Sequence, residues 1–226
     1  MKLFGAYSLQ LSPAPVKRKL IYTRAMAQHA SIPAVVLAAG ASTRLGHPKQ
    51  LVRIADETLI DRTIRIAHDA GASPVFAVLG AHRQQITAAA KLENVQLILN
   101  QSWKQGIASS IIAGLQAIAP DASGVLFLVS DQPALSAAHL SALIAAFHDA
   151  GGSSIAASSY AGGHGIPAIF PCTQFARLLQ LTGDSGAKVL LINSDCAIAS
   201  VSFEAGALDI DTEQDLQAFA EQDRSC

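Results

Sequence analysis

The chain has 226 residues, half of them apolar and 15% charged, with a formal net charge of −1. That length allows one sizeable buried core. No apolar run reaches the roughly 18 residues that a membrane-spanning helix needs, which excludes such a helix.

The charge is unevenly spread. Residues 1–30 carry Lys2, Lys17, Arg18, Lys19 and Arg24 and no acid, which leaves 11 basic and 17 acidic residues beyond them, a balance of −6. The body therefore has no positive excess with which to attract nucleic acid. Cys172, Cys196 and Cys226 are far apart and form no C-x-x-C pair. This argues against a disulfide framework or a zinc site and suits a reducing compartment, the cytoplasm.

The basic head, residues 1–30, is set apart from the fold as an extension. It is acid-free like a transit or disordered segment, but has no apolar core for a secretory signal. Met26 is the only other methionine, and a start there is the simpler explanation. Residues 31–226 read as a single domain.

From Pro33 short apolar runs alternate with helical stretches. Strands are predicted at 34–38, 74–79, 95–99 and 124–129, with continuous apolar residues as in strands covered on both faces. Helices are predicted at 58–71, 81–91, 107–118 and 136–149, the last opened by Ser136 as N-cap. Beyond Gly151, strands at 154–158 and 166–170 flank a glycine-rich turn. Helices at 173–180 and 184–193, a strand near 197–203 and a helix at 212–222 close the chain. The alternation predicts an open, doubly wound, mostly parallel α/β fold. Ligands of such sheets sit at the carboxyl ends of the strands.

The first strand ends in Leu37-Ala38-Ala39-Gly40-Ala41-Ser42-Thr43-Arg44-Leu45-Gly46-His47-Pro48-Lys49-Gln50-Leu51. Free amides at the strand end, with Arg44 and Lys49, make a cationic surface suited to a polyphosphate. The loop is neither a P-loop nor a dinucleotide fingerprint. Gly40 and Gly46 have five residues between them, His47 follows, and G-x-G-x-x-G is absent. The fourth strand ends in Val129-Ser130-Asp131-Gln132-Pro133, where Pro133 keeps Gln132 extended and the acid on the same rim. A carboxylate opposite a cationic loop suits Mg²⁺, which binds carboxylate and phosphate oxygens. A second acid is available in Leu208-Asp209-Ile210-Asp211-Thr212, and alternation would place Asp209 and Asp211 on one side. Asp215 reads as a surface acid three residues beyond an N-cap at Thr212.

The pattern L-A-A-G-x-S-x-R-x-G-x-P-K-x-L resembles the signature loop of MobA-like NTP transferases, nearest to their molybdenum cofactor cytidylyltransferase (MocA-like) branch. Guanylyltransferase relatives carry aspartate where Pro48 stands. The resemblance extends over roughly residues 33–222. It implies a nucleotidyltransferase of the nucleotide-diphospho-sugar transferase fold that moves CMP from CTP to the terminal phosphate of molybdenum-bearing molybdopterin, with a molybdoenzyme or its chaperone as a further partner. It implies Mg²⁺ held by Asp131 and Asp211, with Asp209 the weaker option, and Arg44 and Lys49 on the triphosphate. Leu37, Ala38, Ala39, Gly40 and Ala41 belong to the nucleotide loop. Asn100, Gly106, Ser109 and Ser110 match the family's N-x-x-W-x-x-G-x-x-S-S base and ribose segment, in which Trp103 reads as packing. His164, Gly165 and Pro167 match its G-x-P turn beside the acceptor, and Lys188 its G-D-x-G-A segment. Two other readings stay open: a GTP or ATP donor with a sugar- or alditol-phosphate acceptor, and a non-catalytic nucleotide-binding protein for cofactor delivery.

Overall fold

A computed structural model describes residues 31–192 and 195–223, so the expectation for residues 1–30 lies outside the described residues. Seven strands form one sheet: β1 (Ala34–Ala38), β4 (Val75–Leu79), β5 (Gln96–Leu99), β6 (Gly124–Val129), β7 (Ile155–Tyr160), β8 (Gly163–Pro171) and β9 (Ile198–Ser202). Their order is β5-β4-β1-β6-β8-β7-β9. The helices are α1 (Leu59–Asp69), α2 (Arg83–Ala89), α3 (Ile107–Gln116), α4 (Ala137–Asp149), α5 (Phe175–Leu178), α6 (Lys188–Ile192) and α7 (Glu213–Asp223).

The mostly parallel fold is as expected, with β8 as the antiparallel member. The cause is local. Ala161 and Gly162 both have positive φ (50° and 73°), which gives a two-residue hairpin turn whose arms must run antiparallel. β1, β4 and β6 are buried along nearly their whole length. The prediction that strand 95–99 is covered on both faces is corrected: β5 is an edge strand, with Leu97 47% and Leu99 44% exposed. Apolar continuity alone could not distinguish a central from an edge strand.

Two cores lie on opposite faces of the sheet. Val36, Ala38, Ile60, Leu128, Leu140 and Phe147 share one with α1 and α4; Val35, Leu37, Phe127, Ile111 and Phe170 share the other with α3. A small hairpin, β2 (Arg53–Ile54) and β3 (Glu57–Thr58), precedes α1, and the Thr58 hydroxyl caps that helix through Asp61 N. Too short for a periodic pattern, it escaped the sequence reading. The helix expected at 173–180 is a 3₁₀ turn plus α5. That expected at 184–193 begins only at Lys188, because a turn at Thr182–Ser185, with Gly183 at φ 60°, precedes it. Residues 193 and 194 lie outside the described residues.

Candidate active site

The chain passes from β1 out to β4 and β5, then back across β1 to β6. A crevice opens at that reversal, beyond the carboxyl ends of β1 and β6. It is a cleft of about 360 Å³ lined by Gly40, Ala41, Lys49, Gly106, Ser110 and Asp131, among others. A larger groove of about 790 Å³ lies behind it, walled by the other side of α3 and containing none of the charged site residues.

The loop after β1 is shaped by its own side chains. Ser42, at φ 50°, accepts the Lys49 N–H at its hydroxyl (3.1 Å). Pro48 opens the 3₁₀ turn Lys49–Leu51. Gln50, 1% exposed, donates from Nε2 to the carbonyls of Ala38 (2.9 Å) and Gly40 (3.3 Å). The loop after β1 is thus tied to its own base, and Lys49 enters the cleft from the 3₁₀ turn.

There Lys49 Nζ donates to Asp131 Oδ2 and to Asp211 Oδ1 (3.0 Å), while Arg44 Nη2 donates to Asp211 Oδ2 (2.6 Å). Burial works to lower the Lys49 pKa, but the charge of Asp131 and its hydrogen bonds to both carboxylates outweigh it and raise the value. Lys49 is firmly cationic. Arg44 has its side chain 70% exposed, so its ion pair with Asp211 adds little stability and leaves it free to turn to a ligand.

The two acids are held by backbone. Ile210 N–H donates to the Asp131 carbonyl (2.9 Å). Beyond it, Asp215 Oδ2 accepts from Asp211 N, Thr212 N and Thr212 Oγ1, while Asp215 N–H donates to Thr212 Oγ1. This is a capping box with Asp215 in the reciprocal role, and those bonds lower its pKa. Asp209 lies at the same rim, its residue surface open to solvent but its carboxyl crowded by the Asp131 segment. Desolvation of its carboxyl, and next the charge of Asp131, push its pKa up to about 6.

Of the expected nucleotide-loop residues, Leu37, Ala39, Gly40 and Ala41 line the cleft. Ala38 faces the opposite core, as strand alternation demands. Gly106 and Ser110 also line the cleft, but Asn100 and Ser109 face the larger groove. The Asn100 amide is spent internally: Nδ2 donates to Ser109 Oγ (2.8 Å) and Ser110 Oγ (3.0 Å), and Oδ1 accepts from Ser102 N (2.9 Å). Trp103 packs against the core as expected and forms part of the cleft wall. His164, Gly165 and Pro167 lie on β8, with His164 paired across the hairpin with Ser159. Lys188 is exposed at the start of α6.

Three residues escaped the sequence reading. Gln50 follows Lys49, inside the signature itself. Gln132, buried at 5% exposure, donates to the carbonyls of Ile166 and Gly206 (3.1 Å each) and so ties the Asp131 segment to β8. Asp184 lines the cleft beside Gly106. Asp184 is the aspartate of the G-D-x-G-A segment, but its place beside Gly106, like the reach of Gln132 to β8, follows from the pairing of distant segments.

The MobA-like NTP transferase domain model matches residues 34–197, most of the chain. The chain belongs to that family. As a MobA-like NTP transferase it is a nucleotidyltransferase. It is 32% identical over 186 residues to nicotine blue oxidoreductase of Paenarthrobacter nicotinovorans, covering 79% of this chain and 91% of that one. It is 32% identical over 113 residues to a probable molybdenum cofactor guanylyltransferase of Opitutus terrae, covering 50% and 54% of the two chains. Among solved structures it is similar to Rv0371c of Mycobacterium tuberculosis in complex with manganese. That likeness has 30% identity and a TM-score of 0.71, and covers 85% of this chain and 99% of that one.

Proposed function

We propose that the chain transfers CMP from CTP to the terminal phosphate of molybdenum-bearing molybdopterin and releases pyrophosphate. The observation that carries this reading is Lys49 shared between Asp131 and Asp211, facing the Gly40–Ala41 loop across the cleft. Two carboxylates and two cations around one crevice suit a triphosphate and its counter-ion. CTP and the molybdopterin acceptor rest on the Pro48-Lys49 resemblance, and molybdenum cofactor chemistry also on the guanylyltransferase relative.

A divalent cation fits the residues present. Asp131 Oδ1 is buried and has no hydrogen-bond partner, a costly state that a cation would relieve. Asp131 and Asp211 would hold it, with Mg²⁺ the expected ion and Mn²⁺ the one named for the Mycobacterium tuberculosis relative. When bound, it supplies charge neutralisation of the phosphates.

An acceptor phosphate oxygen forms a bond to the α-phosphorus while the bond to the β-phosphate oxygen breaks. Lys49 offsets the charge developing at the α-phosphate, and Arg44 binds the departing β- and γ-phosphates. The acceptor enters past His164, Gly165 and Pro167, which Gln132 fastens to the Asp131 segment; Lys188 is the cation offered to its phosphate. No described helix is long and apolar enough to cross a membrane. Partners are the nucleotide, the acceptor and a molybdoenzyme or its chaperone, in the cytoplasm.

The test is pyrophosphate release with Mg²⁺ and CTP, GTP or ATP, with and without molybdenum cofactor. Cofactor-dependent release from CTP is expected. Release from GTP or ATP, or with a sugar-phosphate acceptor, selects the other donor and acceptor. Because one relative is named an oxidoreductase, hydride transfer from a reduced nicotinamide nucleotide is assayed in parallel. Turnover there alone overturns the reading.

A further inference from the structure

The base and ribose segment expected from sequence comprised Asn100, Gly106, Ser109 and Ser110; Gly106 and Ser110 line the cleft, but the Asn100 amide is consumed internally and Ser109 faces the larger groove. Ser110 is the one hydrogen-bonding side chain of that set on the cleft wall, and a second polar group stands opposite the same helix turn. The segment Thr182–Gly186 closes against the first turn of α3: Ala108 N–H donates to the Gly183 carbonyl (3.1 Å). A Cβ on Gly106, whose φ is 97°, would run into that carbonyl and lie 2.6 Å from Asp184 Oδ1. The Asp184 carboxylate thus lies at the cleft wall, exposed, against the first turn of α3. Among the described residues no hydrogen bond or ion pair engages it. Lys104 lines the same cleft, its Nζ 5.5 Å from the Trp103 ring centroid.

The geometry points to Asp184 as the residue that selects the donor base, accepting a hydrogen bond from an exocyclic amine at the position where a keto base carries oxygen. This deepens the nucleotidyl-transfer reading and rests on it. A carboxylate only accepts. Cytosine offers it the 4-amino donor, whereas uracil presents O4, an acceptor facing an anion. Lys104 donates to the carbonyl that both pyrimidines share, so it binds without discriminating between them. The site therefore favours amino bases over keto bases.

Calorimetric binding of non-hydrolysable CTP, UTP and GTP analogues in the presence of Mn²⁺, to the full chain and to Asp184→Asn and Asp184→Ala, decides the matter. The wild type is expected to prefer the CTP analogue over the UTP analogue by at least about tenfold, the scale of one hydrogen bond to a charged group. Asp184→Asn should weaken CTP and tighten UTP, because an amide can donate to O4. Asp184→Ala should weaken CTP without that gain. An unchanged CTP-to-UTP ratio in both variants, or a wild type that prefers the UTP or GTP analogue, overturns the assignment of Asp184 while leaving nucleotide binding intact. Failure of the wild type to bind any analogue overturns it together with the proposed function.

Discussion

The Ile210 N–H donates to the Asp131 carbonyl across 2.9 Å, and this bond sets the two candidate ligand carboxylates side by side. Asp131 comes from the middle of the domain sequence and Asp211 from near its end. Their convergence depends on main-chain pairing, reinforced by the Thr212–Asp215 capping box. Removing the box by Asp215→Ala should lower the melting temperature, since the helix N-terminus loses its cap. It should also weaken divalent-cation binding, read by calorimetry, with Asp215→Glu recovering much of both.

Gln132 links the same acid segment to β8. Gln132→Leu leaves the carbonyls of Ile166 and Gly206 without their donor in a buried position. An expected destabilisation of about 1–3 kcal/mol should appear as a lower urea midpoint. The midpoint should recover only where a donor is restored.

Lys49→Ala should lower kcat for pyrophosphate release at least tenfold, about 1.4 kcal/mol of lost transition-state stabilisation. The same variant leaves Asp131 and Asp211 facing each other without their shared cation. Apparent affinity for a divalent cation should therefore rise in the absence of nucleotide, as titration would reveal. An unchanged rate contradicts the role given to Lys49.

His139 supplies a pH dependence away from the cleft. Its ring stacks on Phe203 (4.3 Å between centroids), and Nε2 lies 2.8 Å from Ser158 Oγ. Ser158 gives its one proton to the Pro167 carbonyl, so Nε2 carries the hydrogen. Burial lowers the His139 pKa below 6.5. The unfolded chain then binds the proton first as pH falls, so this contribution is complete above about pH 6.5 and is lost below it. Melting temperature measured from pH 8 to 5 should fall less steeply for His139→Gln, which keeps a donor toward Ser158.

The parallel half of the fold was readable because β1, β4 and β6 are continuous apolar runs, each followed by a helical pattern. β5 read the same way, since Leu97, Ile98 and Leu99 look alike whether or not a neighbour covers them. In the site, Arg44, Lys49 and Asp131 stood out as charges at strand ends, and their meeting with Asp211 depends on the bond from Ile210 N–H to the Asp131 carbonyl, which no local pattern announces. Asn100 looked like a base reader, but its valences close on Ser109, Ser110 and Ser102. Asp184 belongs to the G-D-x-G-A segment and Gln132 follows Asp131, but neither position tells by itself what the side chain touches. Their significance comes from Gly106 in one case and from β8 in the other, contacts more than 30 residues away in sequence.

The central claim is that Asp131, joined to Asp211 through Lys49, makes the chain a cation-dependent nucleotidyltransferase. Pyrophosphate release from CTP with Mg²⁺ and molybdenum cofactor, compared between the wild type and Asp131→Ala at matched melting temperature, tests it most directly. The account predicts cofactor-dependent release by the wild type and none above background from the variant. Near-normal release by a folded Asp131→Ala protein would contradict it.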